Sequence, residues 1–197
     1  SPFNSAHLIR GNEIFTDFYE YPDELRILLS KVTTFMINIV LHTKAMISDD
    51  KHWFYDWGAY WKGTARISNC SMQMISPEMY REFVQPYDIE LFNEIGGGRV
   101  HYCGLSAEVI NEYFNLPLVY GLDFDSKVHD FFDICQKAPQ HISLISTEPF
   151  KEDHKVIQEL LRGNWPEKRN ITIFLETDSI DSGKKLLQEL RRSIPKY

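Results

Sequence analysis

The apolar positions change their period several times along the chain, and each change marks an element. From Tyr21 to Ile47, the residues Leu25, Leu28, Leu29, Val32, Phe35, Met36, Ile39 and Val40 recur at spacings of three and four. That is the stripe of a long amphipathic helix, with Pro22 near the first helical position, where a missing N–H costs nothing. The run Asp49 to Gly63 breaks the period and is crowded with Trp53, Tyr55, Asp56, Trp57, Tyr60 and Trp61. It reads as a long, partly ordered loop. Thr64 to Cys70 suits a strand, and Ser76-Pro77-Glu78 opens a second helix: Ser caps it, Pro takes the first position and Glu complements the dipole. That helix stops at Gly96-Gly97-Gly98.

Beyond the glycines the pattern alternates regularly. Strands are predicted at Arg99 to Cys103, Leu118 to Phe124, His141 to Ser146 and Ile171 to Leu175. Helices are predicted from the Ser106 cap to Phe114, from Val128 to Lys137, from Glu152 to Arg162 and from Ser179 to about Ser193. Strand then helix, repeated, means a parallel sheet, either open and doubly wound or closed as a (β/α)8 barrel. No Gly-rich phosphate fingerprint follows any of these strands, so the TIM barrel is the expected α/β architecture. About five strands are visible where a barrel needs eight, which makes residues 1–197 read as a partial barrel of five or six βα units in a single domain.

Composition narrows the function classes. The 197 residues carry 21 Lys and Arg against 28 Asp and Glu, a net charge of −7, which argues against a nucleic-acid partner because phosphate binding is built on surplus cations. Hydrophobic residues at 43% and charged residues at 25% suffice for one sizeable core. No long uncharged apolar run is seen, and Ser1-Pro2-Phe3 resembles no leader, so a soluble chain with no membrane segment is expected. The three cysteines, Cys70, Cys103 and Cys135, make no disulfide framework and suit a reducing, cytoplasmic compartment.

His101 and Cys103 are the sharpest chemical signal. Residues two apart in a strand share a face, and at the C-terminal end of a barrel strand that face opens on the site mouth. Imidazole and thiolate there form half of a zinc site, and Asp123 or Asp125, ending the next strand, offers an oxygen ligand. The alternative is that Cys103 packs as a small hydrophobe and His101 bonds a neighbouring strand end. In the aromatic run, Trp57 is a candidate wall for a flat ligand and Asp56 the candidate functional acid, unless the run simply packs over a rim or an interface. Ser71 is a candidate ligand contact or a structural cap, with no His and Asp partners standing out in the sequence.

The segment Met74-Ile75-Ser76-Pro77-Glu78-Met79-Tyr80-Arg81-Glu82-Phe83-Val84-Gln85-Pro86-Tyr87, followed by Gly96-Gly97-Gly98-Arg99-Val100-His101-Tyr102-Cys103-Gly104, resembles the uroporphyrinogen decarboxylase superfamily. That group includes cobalamin-dependent methyltransferases alongside haem-pathway decarboxylases. Pro2-Phe3 with Leu8 to Gly11 is similar to a segment near the family's mid-chain, and the resemblance fades after about Asp130. It implies that this chain is the C-terminal part of one barrel, which would associate with a missing N-terminal part or with another copy. In the methyltransferase branch it implies zinc on His101, Cys103 and a third ligand, a small thiol-type acceptor and a methylated corrinoid protein as donor. The family's distal cysteine would fall around Thr172 to Glu176, where Glu176 is the available ligand. In the decarboxylase branch His7 stands where the family has tyrosine and Asp56 where it has serine, no histidine lies around Leu175, and only Arg10, Arg66 and Arg99 are available cations. The expectation is therefore a methyltransferase, with His7 and Asp56 as candidate catalytic groups. A decarboxylase-like lyase and a non-catalytic binding protein on the same fold are the alternatives.

Overall fold

The computed structural model describes residues 1–48, 50, 52–167 and 170–195; Asp49 and Lys51 of the aromatic run lie outside them. The chain divides into two compact units, Ser1–Asp123 and Phe124–Tyr197. Together they make a mixed α/β fold with five strands of parallel sheet, three in the first unit and two in the second.

The first unit opens with three helices, α1 (Pro2–Arg10), α2 (Ile14–Glu20) and α3 (Pro22–Ile47). Both α1 and α3 start on proline, as a first turn tolerates. The stripe read from the sequence is the one α3 buries: Leu25, Leu29, Val32 and Thr33 face α1, α2 and α5 (Gln85–Ile95). Its other side leaves Ile27, Phe35, Ile39, Met46 and Ile47 exposed. With a mean hydropathy of 1.4 over its most apolar window, α3 has the length and composition of a bilayer-crossing helix, which the search for an uncharged run does not register.

The aromatic run is a β-hairpin, and the loop expectation is corrected. Strand β1 (Trp53–Asp56) pairs antiparallel with β2 (Ala59–Lys62), and Asp56 sits opposite Ala59. The two residues between them, Trp57 and Gly58, have φ of 50° and 74°, the two positive values that a tight hairpin turn of this length requires. Three strands follow in the order β3 (Ala65–Ser68), β4 (Gly98–Tyr102) and β5 (Val119–Phe124), with β3 and β4 parallel and Ser68 level with His101. A 3-10 turn, Cys70–Met74, leads from β3 to the short α4 (Pro77–Met79), which the Ser76 hydroxyl caps by accepting the Met79 N–H at 3.2 Å. A wide π turn, Tyr80–Val84, then joins α5; Pro86 has no N–H to continue the ordinary ladder into that turn. Between β4 and β5, α6 (Ala107–Phe114) is capped by Ser106.

Strands β3 and β4 start in close contact. The Gly97 carbonyl accepts the Thr64 N–H at 2.8 Å, and a side chain on Gly63 (φ 100°) would meet that carbonyl oxygen at 2.5 Å. Gly97 (φ 85°) is just as confined, with the Leu118 carbonyl oxygen at 2.5 Å from the same position. Gly63→Ala and Gly97→Ala should each therefore lower stability by about 2–4 kcal/mol, read from the urea midpoint. A change under about 0.5 kcal/mol would show that these strand ends relax freely.

The second unit carries α7 (Phe131–Lys137), β6 (Ser143–Ser146), α8 (Lys155–Leu161), β7 (Ile171–Thr172) and α9 (Ile180–Ser193), with β6 and β7 parallel. Helix α7 starts three residues later than its apolar pattern suggests, because Asp130 accepts the Phe132 and Asp133 N–H groups and sets the cap there. Helix α8 likewise starts late, at the N-cap His154, whose ring accepts the Val156 N–H at 3.2 Å. Strand β7 is shorter than expected; beyond it only a parallel bridge, Phe150 to Leu175, continues the pairing.

Candidate metal centre

Strand alternation splits the first unit's sheet into an apolar and a polar face. Ile67, Val100, Tyr102 and Leu122 are buried on one face, while Arg66, Ser68, Arg99, His101 and Asp123 alternate with them on the other. The parallel pairing that sets Ser68 beside His101 also brings the two strand ends together, so Cys70, two residues past Ser68, meets Cys103, two residues past His101. The Cys103 thiol donates to the Cys70 sulfur at 2.9 Å. Ligand atoms of Cys70, His101 and Cys103 all lie within 4.8 Å of one another, the one such cluster among the described residues. Cys103 is exposed, and Cys70 and His101 are half-buried.

This donor set fits a zinc ion. Two sulfurs and an imidazole are the soft-to-borderline ligands zinc prefers, three protein ligands leave one position for a substrate, and an exposed cysteine gives that position access. The Cys70 thiol is already biased toward thiolate. Burial pushes its pKa up, but hydrogen bonds with Cys103 and Ser68 and the nearby Arg66 charge outweigh burial and leave it below the ordinary value.

Behind the cluster lies a buried charge network. Asp123, fully buried, takes Arg66 Nε on Oδ2 and Arg99 Nε on Oδ1, each at 2.6 Å, and the same Oδ2 stands 3.6 Å from His101 Nδ1. Arg99 is also fully buried and reaches Asp56 with a second nitrogen. Burial pulls the Arg99 guanidinium below its ordinary pKa, against the raising effect of Asp123 and Asp56. The hairpin closes over these cations: Trp61 stacks on Arg99 at 4.3 Å, Phe54 lies 5.7 Å from it, and Trp57 lies 5.5 Å from Arg66. The indole N–H of Trp61 donates to the Asp56 carbonyl at 2.7 Å, which fixes the turn.

The residues singled out from the sequence divide accordingly. His101 and Cys103 come together as a pair, and Cys70 joins them. Asp123 is held between two arginines beside His101, and Asp56 is an ion-pair partner of Arg99. Trp57 covers Arg66. His7 and Ser71 meet each other: His7 Nδ1 is 2.8 Å from Ser71 Oγ, which in turn donates to Asn4 Oδ1 at 2.8 Å. His7 therefore supplies the partner that Ser71 lacks in the sequence. Asp125 and Glu176 belong to the second unit, where Asp125 accepts the Lys127 N–H and Glu176 pairs with Lys151 at 3.7 Å. Arg10 pairs with Asp17 at 2.8 Å, and Cys135 is buried in α7.

A second buried acid, Asp88 on α5, accepts Asn69 Nδ2 and the Tyr80 hydroxyl, both at 3.1 Å and both on Oδ2. Its Oδ1 is buried without a partner, and burial raises its pKa from 3.8 to about 6. The folded state therefore holds a proton there that the unfolded state has lost. Stability from this group is full below pH ~4 and lost as the pH rises to ~6, with a total near 3 kcal/mol. Asp88→Asn should flatten that slope in unfolding curves taken across the window. An unchanged slope would assign the dependence to other groups.

No family model and no curated protein sequence matches the chain. A solved structure does resemble it: a methyltransferase from Methanosarcina mazei, at a TM-score of 0.63 and 12% identity, over 98% of this chain and 56% of that one. At that identity the likeness is one of fold, and the chain spans little more than half the length of that protein.

Proposed function

We propose that the chain is the zinc-binding, C-terminal part of a (β/α)8 methyltransferase, in which Cys70, His101 and Cys103 hold the ion and a small thiol is the methyl acceptor. The observation that carries the reading is the convergence of two sulfurs and an imidazole within 4.8 Å at the ends of two adjacent parallel strands. The fold likeness to an archaeal methyltransferase and the five parallel strands support the barrel and the reaction class. A methylated corrinoid protein is the donor that the sequence resemblance suggests.

Bound zinc would supply positive charge that lowers the pKa of a coordinated thiol and makes it nucleophilic at neutral pH. The chain's own residues prepare that place. Asp123, steered by Arg66 and Arg99, puts a carboxylate beside His101 Nδ1, the kind of outer partner that orients a metal-binding imidazole. Trp57, Phe54 and Trp61 cover the arginines and keep water from this network. The decarboxylase alternative draws no support from these cations, since Arg66 and Arg99 are committed to Asp123 and Asp56 rather than available to substrate carboxylates.

The test is metal content. Purified protein, reduced and dialysed against zinc, should retain one ion per chain by elemental analysis, through these three ligands. Failure to retain zinc above the level of a Cys70→Ser/Cys103→Ser double variant would end the proposal.

A further inference from the structure

Two of the three groups in the cluster can react with each other. Cys70 and Cys103 stand with their sulfurs 2.9 Å apart, one on the turn after β3 and the other just past the end of β4. Both flank strand ends rather than sitting within the ladder, so closing the sulfurs to a bond of ~2.05 Å asks for a small shift of loop backbone. Cys103 is exposed to a small oxidant and Cys70 is half-buried behind it. The remaining cysteine, Cys135, is buried in α7.

We infer that Cys70 and Cys103 form a reversible redox pair that hydrogen peroxide closes to an intramolecular disulfide whenever no metal holds them. The Cys103 thiolate attacks peroxide, breaks the O–O bond, becomes a sulfenic acid and releases hydroxide. The Cys70 thiolate then attacks that sulfur and expels its hydroxide, forming the S–S bond. The two thiol protons neutralise the two hydroxides, so two thiols and one peroxide give one disulfide and two waters. The sulfurs lose two electrons and the peroxide oxygens gain them. A dithiol reductant reverses the step by exchange. The disulfide would remove two of the three proposed zinc ligands at once, so oxidation and metal binding exclude each other. That exclusion rests on the zinc reading, whereas disulfide formation does not.

The experiment treats the full chain with hydrogen peroxide after reduction, once stripped with a chelator and once preloaded with zinc. Free thiols are then counted under denaturing conditions and peptides are mapped by mass. The stripped chain should fall from three thiols to one, with the bridge mapped to Cys70 and Cys103, and dithiothreitol should restore three. The zinc-loaded chain should keep all three. In Cys70→Ser, Cys103 should gain oxygen without forming a bridge within the chain. The inference is overturned if the stripped chain keeps three thiols while peroxide is consumed, or if the bridge maps to Cys135 or joins two chains. Zinc uptake without disulfide formation overturns the pair and leaves the zinc reading standing. Disulfide formation at equal rate with and without zinc overturns the zinc reading and the exclusion, and leaves the pair standing.

Discussion

Replacing Cys103 by serine is expected to weaken zinc binding by about 10²–10³-fold, because dividing the ~10–16 kcal/mol of a zinc site among its ligands leaves a few kcal/mol for each thiolate. A neutral hydroxyl does not replace that charge. Stability of the metal-free chain should scarcely change, since Cys103 is exposed at a strand end rather than packed in the core. Competition with a chromophoric chelator measures the first effect and thermal unfolding without metal the second. Unchanged zinc affinity with a clear drop in melting temperature would make Cys103 a structural residue and remove the central support for methyl transfer.

Asp123→Ala should be the most destabilising substitution in the site. It leaves Arg99 fully buried with only Asp56 opposite it and frees Arg66 from its hydrogen bond. Breaking a buried pair from one side costs about 3–5 kcal/mol, because the remaining charge stays out of water. Adding Arg99→Met to the same chain should recover part of that loss, since no buried cation is then stranded. Urea unfolding of the two variants decides it. A single variant within about 1 kcal/mol of the parent chain would mean that water enters the network and screens Arg99.

The two effects differ in how far the sequence announces them. His101 and Cys103 declare a shared face by their spacing, and Asp123 ends the next strand, so all three are visible from period two alone. Cys70 is not. It lies 33 residues before Cys103, and only the parallel register of β3 on β4 makes the two neighbours. The carboxylate's role escapes for a similar reason: a ligand and a group that steers a ligand look alike until the arginines are seen to fill it from both sides. The hairpin is a different kind of miss. Its turn carries tryptophan at a positive φ, a place where Asn or Asp usually signals the bend, so aromatic density hides the punctuation. Helices with strong caps, such as α6 behind Ser106 and α9 behind Ser179, are legible because cap and stripe agree. The bond between His7 and Ser71 joins α1 to the turn after β3 across 64 residues, a separation that no local pattern reports.

The wide turn at Tyr80–Val84 sets the rotational phase of everything after it. A π turn holds one residue more than an α turn, which advances the helix by about 100° relative to an uninterrupted ladder. In that phase Asp88 faces Asn69 and the Tyr80 hydroxyl, and Leu91, Phe92 and Ile95 are buried. Deleting a single residue between Tyr80 and Val84 would shorten the helix by one position and repair its hydrogen bonding, yet rotate Asp88 off its partners and carry the buried stripe of α5 partly toward water. The extra residue is a timing element: length lost there cannot be compensated by helix propensity, and length inserted elsewhere in α5 would be felt as a rotation before it is felt as a shift.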